Sequence, residues 1–136
     1  MTSGTYTLLV ELPTSATIEV GALGEHDFPA GWYAYTGSAL GPGGFARVDR
    51  HREVAAGEHD VRHWHIDYLL GHPATALDRA VTTSVDAECA IARAIPGERV
   101  LAFGASDCDC GSHLAFHENR DGLSAGIETA HRDHGS

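Results

Sequence analysis

The chain contains no lysine: its nine basic residues are all arginine, set against nineteen Asp and Glu, for a formal net charge of −10 at pH 7. A balance of that sign repels polyanions and, taken alone, argues against a nucleic-acid partner. Cysteine is scarce, and Cys89, Cys108 and Cys110 cannot build a disulfide framework. Cys108 and Cys110 also stand too close in sequence to pair comfortably, so reduced thiols in a cytoplasm are the expectation. No apolar run approaches the ~18 residues of a membrane span, which excludes a membrane partner of the helical kind. No basic segment precedes Tyr6-Thr7-Leu8-Leu9-Val10 and no small-residue cleavage site follows it, so no export signal is expected. Internal repeats and low-complexity linkers are absent too, which leaves a single domain as the simplest division.

What is present fits one globular core. The 136 residues are 43% hydrophobic, and a chain of that length buries roughly two-thirds of the surface it exposes when unfolded. The lysine-free acidic composition resembles that of extreme halophiles, where molar salt contracts the Debye length to about 3 Å. In that setting a local arginine cluster says more about partners than the total charge does.

Residues 5–12 read as a strand ended by Pro13, and a second short run covers residues 17–20. Turn-forming Gly21, Gly24, Pro29 and Gly31 come next. The aromatic stretch Trp32-Tyr33-Ala34-Tyr35-Thr36-Gly37 is β-prone, and period two puts Tyr33 and Tyr35 on one face. Three antiparallel strands are thus expected in the N-terminal part. Residues 45–54 have helical spacing that brings Arg47, Arg50 and His51 within one turn. Residues 64–70 suit either a short helix or a buried strand. Residues 76–83 read as a strand, and Asp86 as the N-cap of a helix over 87–95, closed by Pro96-Gly97. Residues 118–136 are small and polar, and a frayed or disordered tail is expected there, after a domain of residues 1–117.

Gly4-Thr5-Tyr6 on a first strand, Tyr35-Thr36-Gly37 on a later one, Arg47 and His51 on the next helix and Glu88 on a later helix form an ordered set. In that order they resemble the GIY-YIG endonuclease superfamily, named for its first two motifs. Three longer segments, Gly31-Trp32-Tyr33-Ala34-Tyr35-Thr36-Gly37-Ser38-Ala39, His63-Trp64-His65-Ile66-Asp67-Tyr68-Leu69-Leu70 and Phe103-Gly104-Ala105-Ser106-Asp107-Cys108-Asp109-Cys110-Gly111-Ser112-His113-Leu114, are similar to its Uri-type branch, an archaeal set long catalogued as a domain of unknown function. The likeness covers about residues 4–116. It implies an α/β domain of the α+β kind, with a small three-stranded antiparallel sheet flanked by helices, and Mg²⁺- or Mn²⁺-dependent endonuclease activity on DNA, with a role in DNA repair beside a partner protein. Two departures stand out: residues 13–31 are inserted between the two tyrosines, and Thr replaces Ile at the middle of both motifs. Threonine is β-branched and compatible with a strand.

The residue types suit phosphodiester hydrolysis, which needs an activated water, a cation against the developing phosphorane charge and help for the leaving alkoxide. Under this resemblance Glu88 is the carboxylate ligand for Mg²⁺. Arg47 holds a phosphate oxygen through its planar fork, Tyr6 and Tyr35 orient the water, and His51 accepts or relays a proton. Against this stands the ordinary role of a strand tyrosine, which is to pack with its hydroxyl hydrogen-bonded. Arg50, His63, His65 and Asp67 are candidate substrate contacts. Cys108, Cys110 and His113 have ligand types that suit Zn²⁺, but Cys-x-Cys is tighter than the usual zinc spacing, and buried thiols are the alternative.

Overall fold

Nine consecutive residues, Gly4–Leu12, form strand β1, and all but Glu11 are buried. A strand covered on one face alternates buried with exposed residues, whereas an almost unbroken buried run means cover on both. The rest of the architecture supplies that cover.

The computed structural model describes residues 4–19, 24–39, 46–56, 65–72, 75–85, 87–99 and 114–134, without the side chains of Ala39, Arg47, His65, Asp67, Cys89, Glu98, Arg99 and His134. After β1 come β2 (Ala16–Glu19), β3 (Glu25–Phe28), β4 (Gly31–Ala39), α1 (Ala46–Ala55), α2 (His65–Leu70), β5 (Ala76–Thr83), α3 (Glu88–Ala94), β6 (Glu98–Arg99), β7 (Leu114–His117) and α4 (Arg120–His134). The main sheet has the order β5-β1-β4-β7-β6, every pairing antiparallel. The expected α+β class with an antiparallel sheet between helices holds. The sheet is wider than the three strands foreseen: four longer strands carry a two-residue β6 on the outside. The second short run is not part of it, because β2 pairs with β3 in a separate hairpin. That hairpin is the insertion between the two tyrosines. It sets Ile18 and Phe28 into the same core as Tyr33 and Tyr35, so the excursion leaves β1 and β4 free to pair directly.

Alternation along β1 and β4 divides the interior in two. Tyr6, Leu8 and Val10, with Tyr33 and Tyr35, pack against Val48 and Val54 of α1 and Ile66, Leu69 and Leu70 of α2. Leu9 and Ala34 face the other way, onto Ile91 and Ile95 at α3 and Leu123, Ile127 and Ala130 of α4. Residues 65–70, ambiguous in sequence, are helical. Among the described residues no helix is long and apolar enough to cross a membrane.

The expectation of a disordered C-terminal tail is corrected. Residues 120–134 are the longest helix described, α4. Asn119 caps it, its Oδ1 accepting from the Gly122 N–H at 2.9 Å, and Asp121 sits favourably in the first turn. Leu123, Ile127 and Ala130 are buried at helical spacing on one face. Gly126 lacks the Cβ that would collide with the Pro96 ring, so the small residues that made the segment look unstructured are what let it lie close to the end of α3. Arg120 bonds Asp78 at 2.8 Å and stands over the Trp32 ring, and Arg79 bonds Glu128 at 2.9 Å.

A buried polar chain also fastens α4 to the sheet. His131 Nε2 lies 2.8 Å from Thr7 Oγ1, which lies 3.0 Å from Thr36 Oγ1, while His131 Nδ1 lies 3.0 Å from Thr83 Oγ1. Burial lowers the His131 imidazole from its ordinary 6.5 to about 4. Between those values the unfolded chain binds more protons than the folded one, so this group's stabilising contribution is complete above pH 6.5 and is lost as pH falls toward 4. With residual solvent screening allowed for, the contribution is no more than about 2 kcal/mol. Urea unfolding at pH 7.5 and 5.0 should show the wild type losing about 1 kcal/mol more than His131→Asn between the two conditions. Equal losses would mean that burial does not lower the His131 imidazole.

Candidate functional site

Both named tyrosines fall on the α1 face of the sheet, and the reason is register. Tyr6 pairs with Gly37 and Leu8 with Tyr35, and directly opposed antiparallel residues point to the same side. The Tyr6 ring lies across the bare backbone of Gly37, where a Cβ would stand 2.5 Å from the Tyr6 hydroxyl oxygen and 2.6 Å from Cζ. The last glycine of the second motif therefore makes the space that the last tyrosine of the first one fills.

Helix α1 carries the third member. Val48, His51 and Val54 are buried at three-residue intervals, so His51 belongs to the stripe that packs on the sheet. Its Nε2 lies 2.8 Å from the Tyr6 hydroxyl. The Tyr6 and His51 ring centroids are 5.4 Å apart, and Tyr35 stands 6.4 Å from each, edge-on to His51. Three predicted site residues from three separate segments thus form one contact cluster. It is well covered: His51 is fully buried, Tyr6 is 2% exposed and Tyr35 7%. The neighbouring Tyr33 plays another part. Its hydroxyl donates to the Pro29 carbonyl at 2.6 Å, and burial pushes its phenol well above the ordinary range, which keeps it protonated.

The remaining candidates are distributed differently. Arg47 is one helical turn before His51 on α1, and its side chain is outside the described structure. Arg50 is half-buried on the same helix. Glu88 is the first residue of α3, half-buried, on a helix whose Ile91 packs into the opposite core from Tyr6. The start of that helix lies against the same end of β1 that carries Tyr6. The Ala87 N–H donates to Thr5 Oγ1 at 3.0 Å, and Thr5 precedes Tyr6. The N-cap position falls on Ala87, with no side-chain cap, one residue later than expected; Asp86 lies outside the described residues. His65 and Asp67 are on α2 with undescribed side chains, and His63, Cys108, Cys110 and His113 lie outside the described residues. Among the described residues no three His, Cys, Asp or Glu side chains gather as a metal-binding group.

Sequence reasoning overlooked two features. One is the role of Thr5, signalled only by its replacing an aliphatic residue in the motif. The other is an open groove of about 370 Å³ between α1 and β5, lined by Arg52, Ala55, Ala56, Leu77, Asp78 and Arg79. Arg52 and Arg79 are far apart in sequence, and no local spacing joins them.

The chain matches the family described as Domain of unknown function DUF123 over residues 5–136, and it belongs to that family. No curated protein matches it, and no solved structure does.

The dependence of the cluster on Gly37 can be measured. Gly37→Ala should push Tyr6 away from His51 and lower stability by about 1–3 kcal/mol, the usual range for overpacking. Urea unfolding gives the second quantity, and the side-chain NMR signals of His51 report the first. A variant of wild-type stability with unchanged His51 signals would contradict the packing described.

Proposed function

We propose that this DUF123-family protein is a metal-dependent endonuclease that hydrolyses nucleic-acid phosphodiester bonds, with DNA as substrate and DNA repair as its setting. The observation that carries the reading is the Tyr6–His51 contact at 2.8 Å beside Tyr35, because it joins residues of the GIY-YIG-like pattern that are remote in sequence. The pattern's order, Tyr6, Tyr35, Arg47, His51 and Glu88, is the second support.

In the His51 tautomer that leaves Nε2 unprotonated, the Tyr6 phenol donates to the imidazole, gains electron density on oxygen and has somewhere to send its proton. Tyr6 and His51 therefore have the means to orient a water and take a proton from it. Tyr35, the least covered of the three, is the member nearest to substrate in this scheme. Arg47 is assigned the non-bridging phosphate oxygens, which its planar guanidinium matches. Arg52 beside the α1–β5 groove offers positive charge to the flanking backbone, which an acidic protein must concentrate locally.

The donor chemistry fits Mg²⁺ or Mn²⁺ better than zinc. Glu88 is a single hard carboxylate in the first turn of α3, and an ion that keeps most of its waters takes one or two such ligands. Bound there, the ion would supply charge opposite the developing phosphorane.

A non-catalytic nucleic-acid or protein-binding module on the same scaffold is the second reading. The near-complete burial of Tyr6 and His51 favours it, since a hydrogen-bonded tyrosine–histidine pair is also a way to satisfy polar groups inside a core.

Cleavage assays in high salt separate the two. The wild type should nick DNA with Mg²⁺ or Mn²⁺ and stop on addition of a chelator. Glu88→Ala and Tyr6→Phe should each slow cleavage by about 100-fold or more while circular dichroism stays native. Undiminished cutting by Glu88→Ala would remove the metal assignment, and tight DNA binding without turnover by the wild type would favour the module.

A further inference from the structure

We infer that Thr5 is a positioning residue that sets Glu88 against Tyr6, a role that rests on the nuclease reading above. The threonine is fully buried on β1. Its hydroxyl donates to the Val85 carbonyl at 2.8 Å and accepts from the Ala87 N–H at 3.0 Å. One side chain thus clamps both ends of the short connection from β5 into α3, and the next residue is Glu88.

Three features make the clamp consequential. Helix α3 has no side-chain cap of its own, so the first N–H of its approach is satisfied by β1 across the sheet rather than by a local Ser, Asp or Asn. Gly4 prepares the contact: it has φ +152°, and a Cβ there would collide with the Thr83 carbonyl and stand 2.9 Å from Ser84 Cα and from the Val85 nitrogen. Only glycine leaves room for that connection to come so close. Finally, Thr5 and Tyr6 are consecutive on a strand and point to opposite faces. The Thr5 side chain holds the segment that delivers Glu88, and the Tyr6 side chain reaches His51. The rigid peptide between them couples the carboxylate on one helix to the proton-handling pair under another.

An aliphatic side chain at position 5 would fill the same volume and leave the Val85 carbonyl and Ala87 N–H without this partner. Helix α3 would then keep its packing through Ile91 and Ile95, while the start of the helix, and Glu88 with it, would lose its fixed distance from β1. Outer-shell partners that orient a ligand typically alter metal affinity by about 10–100-fold when removed.

The test uses Mn²⁺ as the probe on the full chain in high salt, without nucleic acid. Binding is followed by loss of the free-ion paramagnetic resonance signal, and subtraction of Glu88→Ala isolates this site from the acidic surface. Thr5→Val should weaken the Glu88-dependent binding about 10-fold, and Thr5→Ser, which restores the hydroxyl, should return it to within about two-fold. With DNA present, the half-saturating Mn²⁺ should rise for Thr5→Val while kcat at saturating Mn²⁺ changes little. Wild-type-like binding by a folded Thr5→Val overturns the positioning role and leaves the nuclease reading standing, whereas absence of Glu88-dependent binding in the wild type overturns both. A measurement on the wild type alone guards against variants that do not fold: hydrogen exchange should find the Ala87 amide protected, and exchange at the rate of an open amide overturns the clamp.

Discussion

Every side chain assigned a task depends on the register in which β1 pairs with β4. With Tyr6 opposite Gly37 and Leu8 opposite Tyr35, both tyrosines face α1, and the glycine leaves the gap that the Tyr6 ring occupies. A slip of one residue reverses the faces of a strand. A slip of β1 would carry Tyr6 away from His51 into the layer of Ala34, Ile91, Leu123 and Ile127, and would turn Leu9 onto the α1 face in its place. Burial on both sides of β1 therefore specifies the register twice, once through each core. The site is a consequence of this pairing more than of any local loop.

Much of this was legible in sequence because it follows from short-range pattern. The β-branched and aliphatic run before Pro13, the aromatic alternation of residues 32–37 and the spacing of Val48, His51 and Val54 each report their own element. Pairing partners are another matter. Nothing local reveals that residues 16–28 fold into a hairpin of their own, or that the α3 cap comes from a threonine more than eighty positions away. Helix α4 is a different kind of miss. Its Asn119 cap and its apolar residues at 123, 127 and 130 are ordinary helix signals, but Gly122 and Gly126 lower the local propensity by about 1 kcal/mol each. Tertiary packing on Pro96 and Leu9's side of the sheet outweighs that deficit. Composition measured the segment's intrinsic preference and not what it would meet.

Charge has to be read locally for the same reason. A formal −10 describes the far field, which screening removes within a few ångströms at molar salt. Close to the surface the arginines are deployed unevenly. Arg120 and Arg79 are engaged with carboxylates that tie α4 to β5, pairs of small worth individually but placed where the helix has few large apolar residues. Arg47, Arg50 and Arg52 are concentrated on α1, the helix that brings His51 to the tyrosines. A polyanion would meet that helix and the groove beside it, not the average charge.

Two histidines, the buried ones among the described residues, show how identical chemistry is divided by a single sheet. Among the described residues His131 bonds hydroxyls, those of Thr7 and Thr83, and burial holds it neutral; its task is to join a helix to strands. His51, on the other face, bonds a phenol, a group that can itself give up a proton. A hydroxyl of threonine has no accessible ionised form near neutral pH, so the His131 chain can orient but not transfer. The Tyr6–His51 contact has the chemistry for both, and it stands one peptide away from the threonine whose hydroxyl accepts from the Ala87 N–H at the start of α3. That adjacency gives the Gly4-Thr5-Tyr6 motif its logic: close approach by the glycine, a clamp by the threonine and, in the proposed function, proton handling by the tyrosine, with the strand's alternation keeping the last two on separate faces.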